Sequence, residues 1–237
     1  MSNIKIKYHQ YHSTEVLKSP FSLDEIGFEP ERAYSKDGKF TIYSECPAWK
    51  HKMNRTFYIR SPIDINIVID KKMGGIFATN VPQEIFNMYC SGTFVPGWMN
   101  ENSITIQMSI PRFMFWTRHK NIWVESKPHY MTAIKNNFTS IPAWYNMSNW
   151  HRPIGTAFNV IDSDKPVSIK RGDILYEVCF YSKNLNDGIL LQKSPPEEKV
   201  FNKMYMMTDL KHHIRRLSNS YIFKDKSSKC PFHNLWK

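Results

Sequence analysis

The stretch from residue 141 to residue 182 constrains the fold of this chain most, because short strand patterns alternate there with tight turns. Its last strand candidate, Ile174–Tyr181, is too apolar for a solvent-facing strand and too rich in β-branched and aromatic residues for a helix. Gly172 precedes it and provides the backbone freedom that a tight turn needs. Residues 156–161 and 166–169 are two earlier strand candidates. The order predicts an antiparallel β unit that ends in a buried strand.

Alternating hydrophobicity extends through most of the preceding chain. Residues 64–69 and 104–110 alternate apolar and polar side chains, as half-buried strands do. Residues 113–116 and 122–125 flank a polar segment, and together they predict a hairpin. Short strands at this spacing are typical of sandwiches and barrels. The sequence therefore predicts a mainly β protein, an antiparallel β-sandwich or barrel of jelly-roll-like type.

The period of the hydrophobic pattern changes near the end of the chain. Residues 183–198 contain an Asn-Asp-Gly segment and a Pro-Pro pair, which predict a linker. After it, four apolar residues recur at helical spacing and predict a C-terminal amphipathic helix: Leu210, Ile214, Leu217 and Tyr221. The expected organisation is an antiparallel β domain over residues 1–182, the linker, and a helical appendage over residues 199–237 that packs on the β domain.

Composition excludes several classes of protein. A hydrophobic fraction of 41%, with 14% aromatic residues, is enough to form a packed core. No apolar run approaches about 18 residues, so no transmembrane helix is expected. The first residues lack the apolar core of a signal peptide, which favours a cytoplasmic protein. The four cysteines are widely spaced, unlike the disulfide framework of a small secreted domain.

The formal net charge of +11 raises the possibility of nucleic-acid binding. The basic residues are scattered in small clusters, whereas a binding face concentrates its charge, and a solvated basic surface explains the scatter more simply. The densest cluster lies on the predicted C-terminal helix. Lys211, Arg215 and Arg216 are therefore the candidate nucleic-acid contacts.

Aromatic and polar residues are mixed in the segment from residue 144 to residue 152. Tryptophans separated by polar side chains in a loop can stack a base or a sugar, although core packing explains the tryptophans equally well. With one acidic residue from the following buried strand, the segment predicts a pocket near residues 149–177. Its candidate ligand-binding residues are Trp144, Asn149, Trp150, His151, Arg152 and Glu177.

Two Cys-plus-His pairs form the only metal-like pattern, and they lie far apart in the sequence. Cys46 is followed by His51, and Cys230 by His233. If the fold brings the pairs together, they make a Cys2His2 site that zinc accepts, and its four protein ligands leave no open position for catalysis. The hypothesis is a structural zinc site, and no other cofactor is expected. No nucleophile elbow, phosphate loop or complete catalytic set is found, so the catalytic residues stay unknown.

Residues 158–180, FNVIDSDKPVSIKRGDILYEVCF, resemble the closing strands of the β-clip fold shared by trimeric dUTPases and dCTP deaminases. The shared features are a hydrophobic strand pattern and a Gly-Asp turn. Glu177 stands where that family usually has glutamine, and the acidic residue expected to activate water is missing upstream. The resemblance implies a β-clip-like fold rather than nucleotide hydrolysis.

The chain also resembles an uncharacterised family encoded by tailed bacteriophages. The segments that carry this resemblance are CPAWKHKMNRTFYIRSPIDI, YNMSNWHRPIGTAF and GDILYEVCFYS. The resemblance implies a phage origin, with the protein in the host cytoplasm or in the virion. It implies no activity.

Three functional hypotheses follow. The first is a non-enzymatic β-rich interaction or virion-associated protein that forms a homo-oligomer or binds a phage or host protein, without contact to a membrane. The second is a ligand-binding or enzymatic protein of β-clip or cupin-like type, with its pocket near residues 149–177. The third is a nucleic-acid-binding protein that uses the basic C-terminal helix.

Overall fold

The computed structural model describes residues 3–10, 28–33, 45–72, 75–94, 104–150, 152–184 and 186–204. Three helices of seven residues lie in these ranges: α1 (Pro47–Met53), α2 (Gln83–Tyr89) and α3 (Tyr130–Asn136). A further helical segment covers residues 198–204. The strands are β1 (Asn3–Gln10), β2 (Glu31–Arg32), β3 (Thr56–Arg60), β4 (Ile65–Asp70), β5 (Gly75–Ala78), β6 (Cys90–Phe94), β7 (Ile104–Trp116), β8 (Trp123–Lys127), β9 (Phe138–Ser140), β10 (Ala143–Asn146), β11 (Pro153–Val160), β12 (Val167–Ile169), β13 (Ile174–Tyr181) and β14 (Gly188–Lys193).

These strands form three sheets. The six-stranded sheet has the order β14-β1-β7-β11-β9, and β6 also pairs with β7. The five-stranded sheet has the order β10-β8-β13-β3-β2, and the three-stranded sheet the order β12-β4-β5. Pairing is antiparallel throughout the described strands, except between β1 and β14, which run parallel.

The main hydrophobic core of the described residues lies between the sheets and takes side chains from all three, and a smaller cluster joins Met114 and Trp116 of β7 to Val200 and Met204 of the helical segment 198–204. The rings of Phe115 on β7 and Phe180 on β13 meet with centroids 5.3 Å apart. The Tyr176 hydroxyl of β13 donates a hydrogen bond across the core to the Ile154 carbonyl of β11, at 3.4 Å. The fold is mainly β and sandwich-like with a helix after the last strand, as predicted, and the sheets do not close into a barrel.

Alternation along each strand explains which side chains enter the core. Successive side chains of a strand point to opposite faces, so Tyr176, Val178 and Phe180 of β13 share the core face. Glu177 and Cys179 lie on the other face, yet they are also buried, at 6% and 1% exposure. The strand is therefore covered on both faces, which agrees with its prediction as a buried strand.

The predicted hairpin over residues 113–125 is wrong. Residues 113–116 end the thirteen-residue strand β7 of the six-stranded sheet, whereas β8 belongs to the five-stranded sheet. The intervening segment crosses between the two layers. The hydrophobic pattern of a strand is the same whether the next strand pairs with it in one sheet or faces it from another sheet. The pattern of these two segments therefore could not show that they belong to different sheets.

Part of the segment predicted as a linker over residues 183–198 forms a strand. Residues 188–193 form β14, which pairs with β1 from Asn3 opposite Gly188 to Tyr8 opposite Lys193. Ile189 is 1% exposed and belongs to the core. The polar turn residues before β14 and the prolines after it dominate the composition of residues 183–198, and the apolar run at residues 189–191 is too short to indicate a strand by itself. The predicted amphipathic helix after residue 204 lies outside the described residues.

Candidate functional site

The outer face of the five-stranded sheet concentrates aromatic and charged side chains. On β8, Val124 is fully buried in the core, while its neighbours Trp123, Glu125 and Lys127 point to the opposite side and are half-buried. Register places matching residues of the adjacent strands on the same face. We call this face the outer platform, and its residues are Glu31, Tyr58, Arg60, Trp123, Glu125, Lys127, Trp144, Glu177 and Tyr181.

Two tryptophans lie at one end of the outer platform. Trp144 pairs with Glu125 in the ladder between β10 and β8, so Trp123 is its diagonal neighbour. The centroids of the two indoles are 5.1 Å apart and their planes are tilted by 52°. Trp144 is 62% exposed. A large aromatic surface is thus held in place on one side by Trp123 and open to solvent elsewhere.

An ion pair occupies the middle of the outer platform. Lys127 and Glu177 are directly opposite in the ladder between β8 and β13, and Lys127 Nζ lies 2.9 Å from Glu177 Oε2. The two side chains are only 17% and 8% exposed. Burial is the largest influence on Lys127 and lowers its pKa, but the hydrogen bond and charge of Glu177 outweigh it, so the pKa of Lys127 is raised overall.

A second acidic group is paired with a phenol. The Tyr181 hydroxyl donates a hydrogen bond to Glu125 Oε2 at 2.6 Å. Burial raises the pKa of Tyr181 strongly, and hydrogen bonds to Cys179 and Glu125 raise it further. Cys179 is buried, and its Sγ accepts a hydrogen bond of 3.5 Å from the Thr56 hydroxyl. Tyr181 therefore stays protonated and serves as a hydrogen-bond donor.

The other end of the outer platform is covered by the N-terminal end of α3. The His129 ring meets Tyr58 edge-on with centroids 5.4 Å apart, and Tyr130 follows at 5.4 Å from His129. His129 Nδ1 is 3.2 Å from the Thr132 hydroxyl. Burial lowers the pKa of His129, and the charge of Arg60 lowers it further against the opposing effect of Glu177. The imidazole is therefore neutral at pH 7.

Among the described residues, the charges on the outer platform and directly beside it balance. Arg60 pairs with Glu31 at 2.6 Å, Lys127 pairs with Glu177, and Glu125 is held by Tyr181. The Lys52 side chain of α1 approaches Lys127 and adds a third cation. Three carboxylates thus face three cations, although the whole chain carries a net charge of +11.

The predicted ligand-binding residues do not gather into one pocket. Trp144 and Glu177 lie on the outer platform. Trp150 packs instead on Tyr145 with centroids 5.2 Å apart, and Tyr145 points to the core face of β10. The Arg152 guanidinium lies 4.5 Å from the Trp150 ring centroid. The two groups are therefore on opposite sides of the sheet.

The remaining members of the predicted pocket and the nucleic-acid set have other positions. Asn149 is 8% exposed and lies in the turn that follows β10. His151, Lys211, Arg215 and Arg216 lie outside the described residues.

The zinc hypothesis stays a prediction. Cys46 is the N-cap residue of α1 and His51 lies in its last turn, and both are exposed, whereas Cys230 and His233 fall outside the described residues. In the ranges that the structure covers, no group of three or more His, Cys, Asp or Glu side chains is placed to hold a metal ion. The same ranges contain no helix that is long and apolar enough to span a membrane.

The clefts lined by the described residues include two that lie away from the outer platform or at its border. The larger, of about 460 Å³, opens between the 119–122 and 182–187 loops. The smaller, of about 200 Å³, lies between α3 and the turn at Gly172. In that turn, Asp173 accepts hydrogen bonds from Lys135 Nζ, Asn136 Nδ2 and the Lys170 backbone, each at 2.9 Å. The carboxylate of the Gly-Asp turn thus anchors α3 to the sheet.

Sequence reasoning missed Trp123, Glu125, Lys127 and Tyr58 as members of a shared surface. The sequence of β8 does indicate one polar and aromatic face, because Trp, Glu and Lys alternate with Val and Ser. A strand with a polar and aromatic outer face is a common pattern, and only the order of strands shows that three such faces lie side by side.

Comparison with known proteins gives no family for this chain. The sequence matches no protein-family model and has no significant match among curated proteins.

Proposed function

We propose that this chain is a non-enzymatic interaction protein that binds its partner through the outer platform. The observation that carries this proposal is the position of Trp144, which is 62% exposed on a sheet face and fixed against Trp123. The contact with Trp123 buries only part of this indole, and tryptophan is enriched where partners bind. A phage origin and a role in the virion or at the host remain part of this proposal, on the resemblance of the segments given above.

The hydrogen bonds of the outer platform favour recognition over catalysis. Glu177 is held by Lys127, and Glu125 by Tyr181. His129 contacts Thr132 and the edge of Tyr58. A general base needs access to a proton of the substrate, and these groups are instead directed at one another. Such pairing fixes the positions of side chains on a binding surface.

The backbone under the outer platform is suited to a preformed surface. Seven of its nine side chains lie on β8, β13 and β3, which pair on both sides in the middle of the sheet, and Trp144 and Glu31 lie on the edge strands β10 and β2. Sites built on strands keep their geometry better than sites on loops, so less conformational entropy is lost on binding.

The proposal is tested with a pair of matched variants, Trp144→Ala and Ile161→Ala. Both residues are large, apolar and exposed, but Ile161 follows β11 and lies away from the outer platform. Binding is measured to immobilised bacterial envelope polysaccharide, to double-stranded DNA and to host envelope proteins, and self-association by sedimentation velocity.

The expected result is that one of these interactions weakens at least about tenfold in Trp144→Ala and is unchanged in Ile161→Ala. Binding that is unaffected by both Trp144→Ala and Trp123→Ala contradicts the proposal. So does the absence of any interaction.

A further inference from the structure

We infer that the ligand of the outer platform is a neutral, β-linked polysaccharide with one pyranose ring stacked on Trp144. The inference rests on the proposed function and names the chemical class of the partner. It is carried by three observations, which are the open indole, the carboxylate beside it and the charge balance of the surface.

The open indole of Trp144 suits the flat face of a sugar. Pyranoses with equatorial substituents present axial C–H groups on their faces, and these groups carry partial positive charge. The face of an aromatic ring is negative, so the two surfaces attract while apolar area is buried. The planes of Trp123 and Trp144 are tilted by 52° to each other, so the two indoles do not stack face to face.

Glu125 lies directly across the ladder from Trp144 and is placed to bind sugar hydroxyls. It accepts one hydrogen bond from Tyr181, at 2.6 Å. An ionised carboxylate has about four lone-pair sites, so acceptor capacity is left for a ligand. The Trp144 indole can therefore pack against the apolar face of a sugar ring, while the Glu125 carboxylate accepts hydrogen bonds from the hydroxyl groups at its edge.

The charge balance argues for a neutral ligand over a polyanion. Surfaces that bind single-stranded nucleic acid combine aromatic rings with an excess of positive charge. The outer platform has the aromatic rings, but its two cations, with Lys52 of α1 beside them, are matched by three carboxylates. Among the described residues, this surface therefore has no excess of positive charge that would favour a nucleic acid.

The open part of the outer platform lies at its β10 end, where Trp144 is 62% exposed beside the half-buried Glu125 of β8. Farther across the sheet, Glu177 and Cys179 of β13 are buried and the β3 end is covered by α3, so the sugar contacts lie on β10 and β8. Neighbouring strands are about 4.8 Å apart, which is close to the length of one pyranose unit in an extended β-linked chain. Two strands therefore offer contacts to about two successive rings.

The test uses isothermal titration calorimetry with two neutral β-linked hexasaccharides, cellohexaose and chitohexaose. Hexagalacturonate and a twelve-nucleotide oligothymidylate serve as anionic comparisons. The proteins are the full chain, Trp144→Ala, Trp144→Phe and the control Ile161→Ala. The seven tryptophan indole N–H signals in a ¹H–¹⁵N spectrum report folding and the site of contact, and Trp144→Phe assigns one of them.

The expected result is that at least one neutral hexasaccharide binds and that its affinity depends little on salt. Trp144→Ala should weaken binding by about tenfold or more, as loss of one aromatic stacking contact does, with a smaller effect for Trp144→Phe and none for Ile161→Ala. The Trp144 indole signal should shift on titration.

Three outcomes overturn the inference. One is that neither neutral hexasaccharide binds at millimolar concentration, and another is that Trp144→Ala binds as well as the unaltered chain. The third is that an anionic probe binds more tightly, with a steep salt dependence. If Trp144 is instead needed for contact with a protein or a second copy, the sugar inference fails while the proposed interaction function stands.

Discussion

Lys127 and Glu177 lie opposite each other on β8 and β13 and form an ion pair of 2.9 Å in the middle of the outer platform. Both side chains are largely removed from water, at 17% and 8% exposure. Such a pair stabilises a fold little compared with apolar packing, but removal of one partner leaves a desolvated charge. The pair therefore fixes the geometry of the surface more than it contributes to net stability.

Glu177→Ala is expected to lower the free energy of unfolding by about 3 kcal/mol, because it leaves the Lys127 ammonium buried without its partner. The control is Asp164→Ala, which removes the exposed pair between Lys71 and Asp164 and should cost only about 0–1 kcal/mol. Urea unfolding of the three proteins measures both values. Equal losses in the two variants would contradict the burial argument.

His129 is expected to make the protein less stable in mild acid. Burial lowers its pKa below the usual 6.5, so between 6.5 and the lower value the unfolded chain binds a proton that the folded chain does not. The free energy of unfolding should therefore fall as pH decreases below 6.5. Above pH 6.5, where His129 is neutral in both the folded and the unfolded chain, this loss of stability does not occur.

The measurement compares the unaltered chain with His129→Phe, which keeps a ring against Tyr58. Unfolding is followed in urea at pH values from 7.5 to 5.0, and the variant should lose less stability over this range. His119→Phe, at an exposed histidine, is the control. Parallel pH profiles for the unaltered chain and His129→Phe would exclude the proposed effect.

Gly172→Ala is expected to destabilise the fold by about 1–2 kcal/mol, because Gly172 has a φ of +88°, where a Cβ atom is strained. The matched control is Gly155→Ala on β11, where an added Cβ would meet its nearest atom, the Met108 carbonyl oxygen, at an ordinary 3.5 Å. Thermal unfolding of the two variants makes the comparison. A Gly172→Ala variant as stable as Gly155→Ala would show that the turn relaxes without cost.

The sequence predicts strands well where their own composition decides the outcome. The strand Ile174–Tyr181 has the predicted bounds, and the turn before it uses Gly172 with positive φ as expected. The short helices α1, α2 and α3 were not predicted, because seven residues span only about two turns and give no clear period. Tertiary contacts decide such segments.

The site was predicted only in part, for a different physical reason. Trp144 and Glu177 were both selected from the sequence, but as members of a pocket that included Trp150. Their shared surface depends on β8 lying between β10 and β13, and β13 lying beside β3. Neither the period nor the composition of a strand identifies its neighbours, so the contributions of Trp123 and Tyr58 could not be found.

The parallel pairing of β1 with β14 has a consequence for how the protein is made. Asn3 lies opposite Gly188, so β1 acquires this neighbour only after almost the entire described chain has been synthesised. At about 5–20 residues per second, that delay lasts roughly ten seconds or more. Until β14 is made, β1 can pair with β7 but lacks its native neighbour on the other edge, and an open strand edge can pair with other chains.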